Sequence, residues 1–333
     1  MDDPLIFVRA VHFAATISVT GAALFNVFVV QPVLRPPASP ELRASVVRRL
    51  AWIAWIGLAL ALLSGAAWFV LVSASISDQP LETVLSDASI LQAVLLDTDF
   101  GRDWLLRLLL IALLAGLLAA DLREKQDSGG FLKLAVVLAA AGLAGSLAWG
   151  GHGIGGAGLG GRIHLAADFV HLIAAAAWVG GLLPLALILA AAGASVTVAH
   201  AVSLRFSVYG MIAVGVLLLT GAINTWYLAG SIRALTETDY GHLLLVKIIL
   251  FLVMLALATV NRLWLTPALT VNAGERPARD AFRQLRRNVA IEIAAGAIIV
   301  SIVAVLGVTP PGLSESSPTQ ATGHDGMMHM DKH

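Results

Sequence analysis

Eight long apolar runs divide the sequence, at approximately residues 4 to 30, 50 to 73, 104 to 120, 131 to 149, 165 to 191, 208 to 229, 242 to 264 and 289 to 308. A helix rising about 1.5 Å per residue needs about 20 mostly apolar residues to cross a hydrocarbon core of roughly 30 Å, so the runs are of spanning length. Inside lipid every backbone N–H and C=O must be satisfied within the protein, which leaves helices or closed barrels. The runs are continuous and rich in Leu and Ala instead of alternating, and this excludes a barrel. The expected fold class is an all-α integral membrane protein with eight transmembrane helices. With 58% hydrophobic and only 13% charged residues, the composition lies outside the soluble range. The first run carries Asp2 and Asp3 where a cleavable signal would be basic, so helix 1 is expected to stay in the protein.

Formal net charge is zero, but its placement is uneven. Arg35, Arg43, Arg48 and Arg49 follow helix 1, Arg123, Lys125 and Lys133 follow helix 3, and Arg205 follows helix 5. Arg262, Arg276, Arg279, Arg283, Arg286 and Arg287 follow helix 7. The remaining loops hold Asp78, Glu82, Asp87, Asp97, Asp99, Glu237 and Asp239 with few bases. Basic loops stay on the cytoplasmic side, so both termini are expected outside, in the periplasm of a bacterial inner (cytoplasmic) membrane.

The two halves of the sequence echo each other. His12 precedes Gly21 by nine residues, as His171 precedes Gly180. Arg49 precedes the Leu62-Leu63-Ser64-Gly65-Ala66 run by the interval that separates Arg205 from Leu218-Leu219-Thr220-Gly221-Ala222. Helix 3 opens Phe100-Gly101 with Arg107 and ends at Asp121; helix 7 opens Tyr240-Gly241 with Lys247 and reaches Asn261. Two parallel four-helix repeats, residues 1–150 and 164–309, are expected, joined by a glycine-rich external loop at 151–163 and followed by a disordered tail at 310–333. A short interfacial helix is expected within Leu81 to Leu96.

Eight of the nine histidines fall on the expected outer side: His12, His152, His164, His171, His242, His324, His329 and His333. Nothing about spanning a bilayer requires that asymmetry, and imidazole is a common metal ligand. The chain has no cysteine, so soft-metal chemistry falls to His and Met. The tail concentrates both, with Met327, Met328 and Met330 among His324, His329 and His333, and this donor mixture suits copper in either oxidation state. His164 and His171 lie seven residues apart, about 10 Å along a helix axis, too far for one ion. Two successive metal sites are therefore expected: an outer one at His164 with His152 or His242, and a deeper one built from His171 and His12. Asp168, one turn before His171, orients an imidazole or serves as a ligand, or else caps the helix start. Arg107 and Lys247 lie near helix ends and are expected to snorkel.

The glycine spacing of residues 150 to 161 follows no strand, and neither a nucleotide nor a nucleic acid is an expected partner. Metal binding and transport, with no catalytic residues, is the leading expectation. The alternative is a haem-binding electron-transfer protein with bis-His ligation by His12 and His171, whose matched depths suit two axial positions.

The segment from His171 to Pro184, with Trp178-Val-Gly-Gly-Leu-Leu-Pro, resembles the CopD (PcoD) family of copper-resistance inner-membrane proteins. So does the run from Arg205-Phe206-Ser207 through Thr220-Gly221, Tyr240-Gly241, Leu244-Leu245, Lys247 and Asn261-Arg262. The resemblance implies an eight-helix protein that handles copper as its cargo, in uptake or homeostasis. It also implies a separate periplasmic partner of the CopC type. The His/Met tail is outside the family pattern and rests on its composition.

Overall fold

The computed structural model describes residues 2–34, 40–123, 130–150, 158–191, 196–269 and 275–310. Among them all regular structure is helical, and eight helices are long and apolar enough to cross a membrane. These are α1 (Asp2–Phe25), α2 (Pro40–Ser77), α3 (Asp99–Arg123), α4 (Gly130–Gly145), α5 (Gly158–Ala191), α6 (Val196–Ala229), α7 (Asp239–Val260) and α8 (Glu275–Leu306). Several outrun the apolar stretch that announces them: α2 starts ten residues before its expected position, at Pro40, and α5 seven before, at Gly158. Helical hydrogen bonding is still the cheapest way to satisfy backbone groups as the chain leaves the apolar layer.

The loop after α2 folds into two short helices, Leu81–Ser86 and Ala88–Asp97, in place of one. Asp87 separates them: its backbone is extended and its carboxylate accepts from the Ser89 N–H at 2.9 Å, capping the second. A short helix at Ile232–Glu237, capped by Ser231, holds the equivalent place before α7.

At the centre of the bundle lie α1 and α5, with 72% and 67% of their most apolar windows buried, against 17% and 11% for α3 and α7. Between helices in lipid there is no hydrophobic drive to associate, so close packing of small residues carries the contact. Gly21 and Gly180 provide it, since a Cβ on either would meet the backbone of the other helix. Around this pair α1 packs on α2, α4 and α8, while α5 packs on α4, α6 and α8. The largest apolar core joins Phe25, Trp178, Leu182, Ile188, Phe206 and Leu285.

A polar cluster that the sequence reading did not single out lies in the second half. The last turn of α7 widens into a π turn at Asn261–Leu265. There the Asn261 amide donates to Glu292 Oε1 at 2.7 Å, Asn288 donates to Asn261 Oδ1 at 2.8 Å and Gln284 donates to Asn288 Oδ1 at 2.9 Å. Glu292 is 2% exposed and is buried on α8. Glu292→Leu is expected to cost about 1–3 kcal/mol by stranding the Asn261 donor, whereas Glu292→Gln keeps an acceptor and stays closer to wild type. Thermal unfolding of the two variants in detergent checks this, and equal stabilities would contradict it.

Candidate functional site

Four helices, α5 to α8, form most of the wall of a cavity of about 620 Å³, with Arg9 and Phe13 of α1 at its edge. It exists because α6 packs on α5 and α7 on α8 but α6 and α7 scarcely touch, and because α6 presents Gly221, Ala222, Asn224 and Thr225 toward it. One wall belongs to α5, where His164, Asp168 and His171 recur at intervals of four and three residues and so share a face.

His171 is held in a defined tautomer. Thr220 Oγ1 donates its one proton back to Val216 O at 2.7 Å, and so meets His171 Nδ1, 2.9 Å away, as an acceptor. Nδ1 therefore carries the proton, and Nε2 offers the lone pair. A histidine whose other nitrogen donates to a fixed oxygen is the usual arrangement of a metal ligand. Asp168 Oδ1 accepts from the Asn224 amide at 3.1 Å. Asp168 is not a helix cap, because α5 begins ten residues before it. His164, 7% exposed, stacks on Tyr227 with ring centroids 5.4 Å apart and planes at 7°. Lys247 reaches the same cavity from α7 and Met254 closes it lower down. Lys247, Met254 and Asn261 recur every seven residues and thus lie along one face of α7.

His12 repeats the local chemistry of His171 in another place. Its Nδ1 donates to Ala61 O at 3.0 Å and lies 3.3 Å from Ser64 Oγ, whose own proton goes back to Leu60 O at 2.5 Å. Its Nε2 is buried without a hydrogen-bond partner. Yet His12 does not line the cavity; its ring packs against Trp68 and Trp104 at 5.4 and 5.9 Å. Arg9 and Arg107 flank the same Trp68 ring at 4.9 and 5.2 Å. The structure thus brings His164, Asp168 and His171 together and leaves His12 apart from them, so one ion or one haem shared by His12 and His171 does not follow from their places. The reason is directional: each imidazole turns toward the hydroxyl-bearing helix of its own half, α2 or α6, and not toward the α1–α5 seam.

His242 is also apart, exposed on α7 with its Nε2–H donating to Thr236 O at 2.9 Å. The expected snorkelling of Arg107 does not occur: it is 1% exposed and donates through Nη2 to Ser146 O at 3.0 Å. His152, His324, Met327, Met328, His329, Met330 and His333 lie outside the described residues. Among the described residues no three His, Asp or Glu side chains are grouped to hold a metal ion. Sequence reasoning passed over Asn224 and Arg9. Each was visible as a polar residue inside or beside an apolar run, a position that is costly in lipid and therefore informative.

Comparison with known proteins gives these helices a context. Residues 200–306 match the family described as Copper resistance protein D, and residues 1–162 match Copper resistance protein D-like, N-terminal domain. The chain is 31% identical over 326 residues to Copper resistance protein D of Pseudomonas syringae pv. tomato, covering 93% of this chain and 98% of that one. It is 29% identical over 307 residues to Inner membrane protein YebZ of Escherichia coli, covering 92% and 98%. A shorter stretch of 96 residues is 40% identical to Copper transport protein CutJ of Bacillus subtilis, covering 28% of this chain and 18% of that one. No solved structure matches the chain. With eight apolar helices and matches that run through both of its halves, the chain belongs to the copper resistance protein D family.

Proposed function

We propose that this is a copper-homeostasis protein of the bacterial inner membrane that takes copper from the periplasmic side into the α5–α8 cavity and passes it inward. The observation that carries the reading is His171, whose Nδ1 is engaged by Thr220 Oγ1 and which lines the cavity with His164 and Asp168 on one face of α5. His164 is the outer ligand, His171 the inner one, and Asp168 the carboxylate between them. A site with few protein donors suits cargo, since conduction needs binding weak enough to release. Below His171 the Met254 thioether and the Asn261–Glu292 cluster continue a line of polar or soft groups toward the other end of the bundle.

In this reading both termini are periplasmic, the basic loops are cytoplasmic, and the two four-helix halves descend from one parallel repeat. The paired geometry of His12 with Ser64 and of His171 with Thr220 supports that descent. His152 and the His/Met tail capture copper, or receive it from a separate periplasmic protein of the CopC type, and hand it to His164.

The test is copper uptake into proteoliposomes, with flux above that of protein-free vesicles as the expected result. Flux equal to empty vesicles under both reducing and oxidising conditions would sink the transport reading. For the tail, truncation after Ser314 is expected to lower the copper bound per protein while leaving the cavity ligands in place. Metal analysis beside the full chain checks it, and unchanged stoichiometry would remove the tail from the mechanism.

A further inference from the structure

The cavity is far larger than a copper ion requires. A water molecule's share of liquid volume is about 30 Å³, so 620 Å³ corresponds to roughly 20 waters, and most of the lining is aliphatic or aromatic. Such a space does not hold a water cluster of that size stably, but it has the volume and character of an organic ligand site. The corresponding space beside α2 and α3 is filled by the protein itself, where Phe69 stacks on Phe100 at 6.0 Å and on Trp104 at 6.3 Å. Between α6 and α7 small residues leave it open.

Two further observations say what fits. First, the lining includes Leu218 on α6 and Leu252 on α7, apolar residues of two spanning helices that are 50% and 52% exposed, and a flank of this kind is open to the acyl region of a bilayer. Second, Arg9 reaches the cavity from α1 at the end of the bundle where α8 finishes, beside Gly307. It is 6% exposed, pairs with no carboxylate among the described residues, and leaves its Nε–H without an acceptor. Its Nη groups lie 3.5 Å from Gly150 O, at the limit of a hydrogen bond, and its guanidinium stacks on Trp68. A buried cation with unused donors calls for an anion.

We propose that the α5–α8 cavity binds an anionic membrane amphiphile, with its apolar chain lying between α6 and α7 and its acidic head meeting the Arg9 guanidinium. The site does not depend on the copper reading; copper and amphiphile meet the same cavity through different side chains, His164 and His171 for one and Arg9 for the other. An apolar acyl chain joined to an acidic head, a carboxylate in one case and a phosphodiester in the other, describes both a free fatty acid and an anionic phospholipid.

Native mass spectrometry of the full-length protein, titrated separately with palmitate, phosphatidylglycerol and phosphatidylcholine, tests the proposal. A saturable one-to-one adduct with palmitate or with phosphatidylglycerol, and none with phosphatidylcholine, is the expected result, and which of the two binds identifies the source. Arg9→Gln is expected to weaken the adduct roughly ten- to hundredfold, the loss of charge-assisted hydrogen bonds, with Arg9→Lys recovering part of it. Thr225→Phe, which narrows the cavity from α6 and leaves Arg9 itself unchanged, is expected to weaken it by a similar factor. Absence of any adduct, equal binding of phosphatidylcholine, or undiminished binding in folded Arg9→Gln or Thr225→Phe would each overturn the proposal. Copper uptake measured on the same samples keeps this outcome separate from that of the transport reading.

Discussion

Gly180→Leu is expected to lower the thermal unfolding midpoint of the detergent-solubilised protein by on the order of 10 °C, with much of the chain failing to reach a folded state at all. At the crossing of α1 and α5 the Cβ of any larger residue at 180 would fall on the carbonyl oxygen of Ile17, a backbone atom that no rotamer change can move aside. The two central helices would have to separate. Overpacking typically costs about 1–3 kcal/mol and more where backbone is involved, and each kcal/mol moves the midpoint by roughly 2–4 °C in a chain of this order of size. Nothing in lipid drives the helices back together once their surfaces no longer fit. Gly116→Leu on α3 is the control, because a Cβ there meets nothing within 4 Å. If Gly180→Leu and Gly116→Leu unfold at the same temperature, the glycine crossing is not what holds the bundle.

His171→Ala is expected to reduce copper affinity and flux at least tenfold, His164→Ala to do so comparably, and His12→Ala to leave both within about twofold. Removing a ligand should cost no less than removing its orienting partner, for which 10–100-fold is usual. Thr220→Val makes the same argument from the other side. It keeps the imidazole but removes the oxygen that fixes its tautomer, and roughly tenfold weaker binding is expected. His12→Ala instead loosens α1 from α2, since Nδ1 holds Ala61 O, and should appear in stability. Isothermal copper titration and proteoliposome flux on the same four variants decide the matter. Equal losses for His12→Ala and His171→Ala would restore a shared site, and no loss for His171→Ala would remove the cavity from the copper route.

Legibility followed the physical range of each signal. The eight spans were readable because bilayer thickness acts on each segment by itself, so a local count of apolar residues is enough. Gly21 and Gly180 were visible as matched positions of the internal echo, but their contact with each other was not. The α5 face was readable in part, since His164, Asp168 and His171 are set on one side by helical periodicity alone. That the His12 ring turns toward α2 was not readable, because its place along the helix is a one-dimensional property, whereas the direction of its ring depends on where α2 puts Ala61 and Ser64. Arg107 was expected to snorkel for the same reason: its distance from the helix end was known, but the carbonyl of Ser146 waiting beside it was not.

Sequence by itself determined that this chain is a helical membrane protein of eight candidate spans with unevenly placed charge and the residues of the copper resistance protein D family. Those follow from segment length, composition and local spacing. Only the tertiary structure decided that α1 and α5 form the buried centre, that α6 and α7 part to leave a cavity, and that His171, Thr220, Asp168 and Asn224 meet there while His12 does not. Each of these depends on how helices distant in sequence rotate against one another, and that rotation is set by packing over the whole bundle, which no single segment encodes.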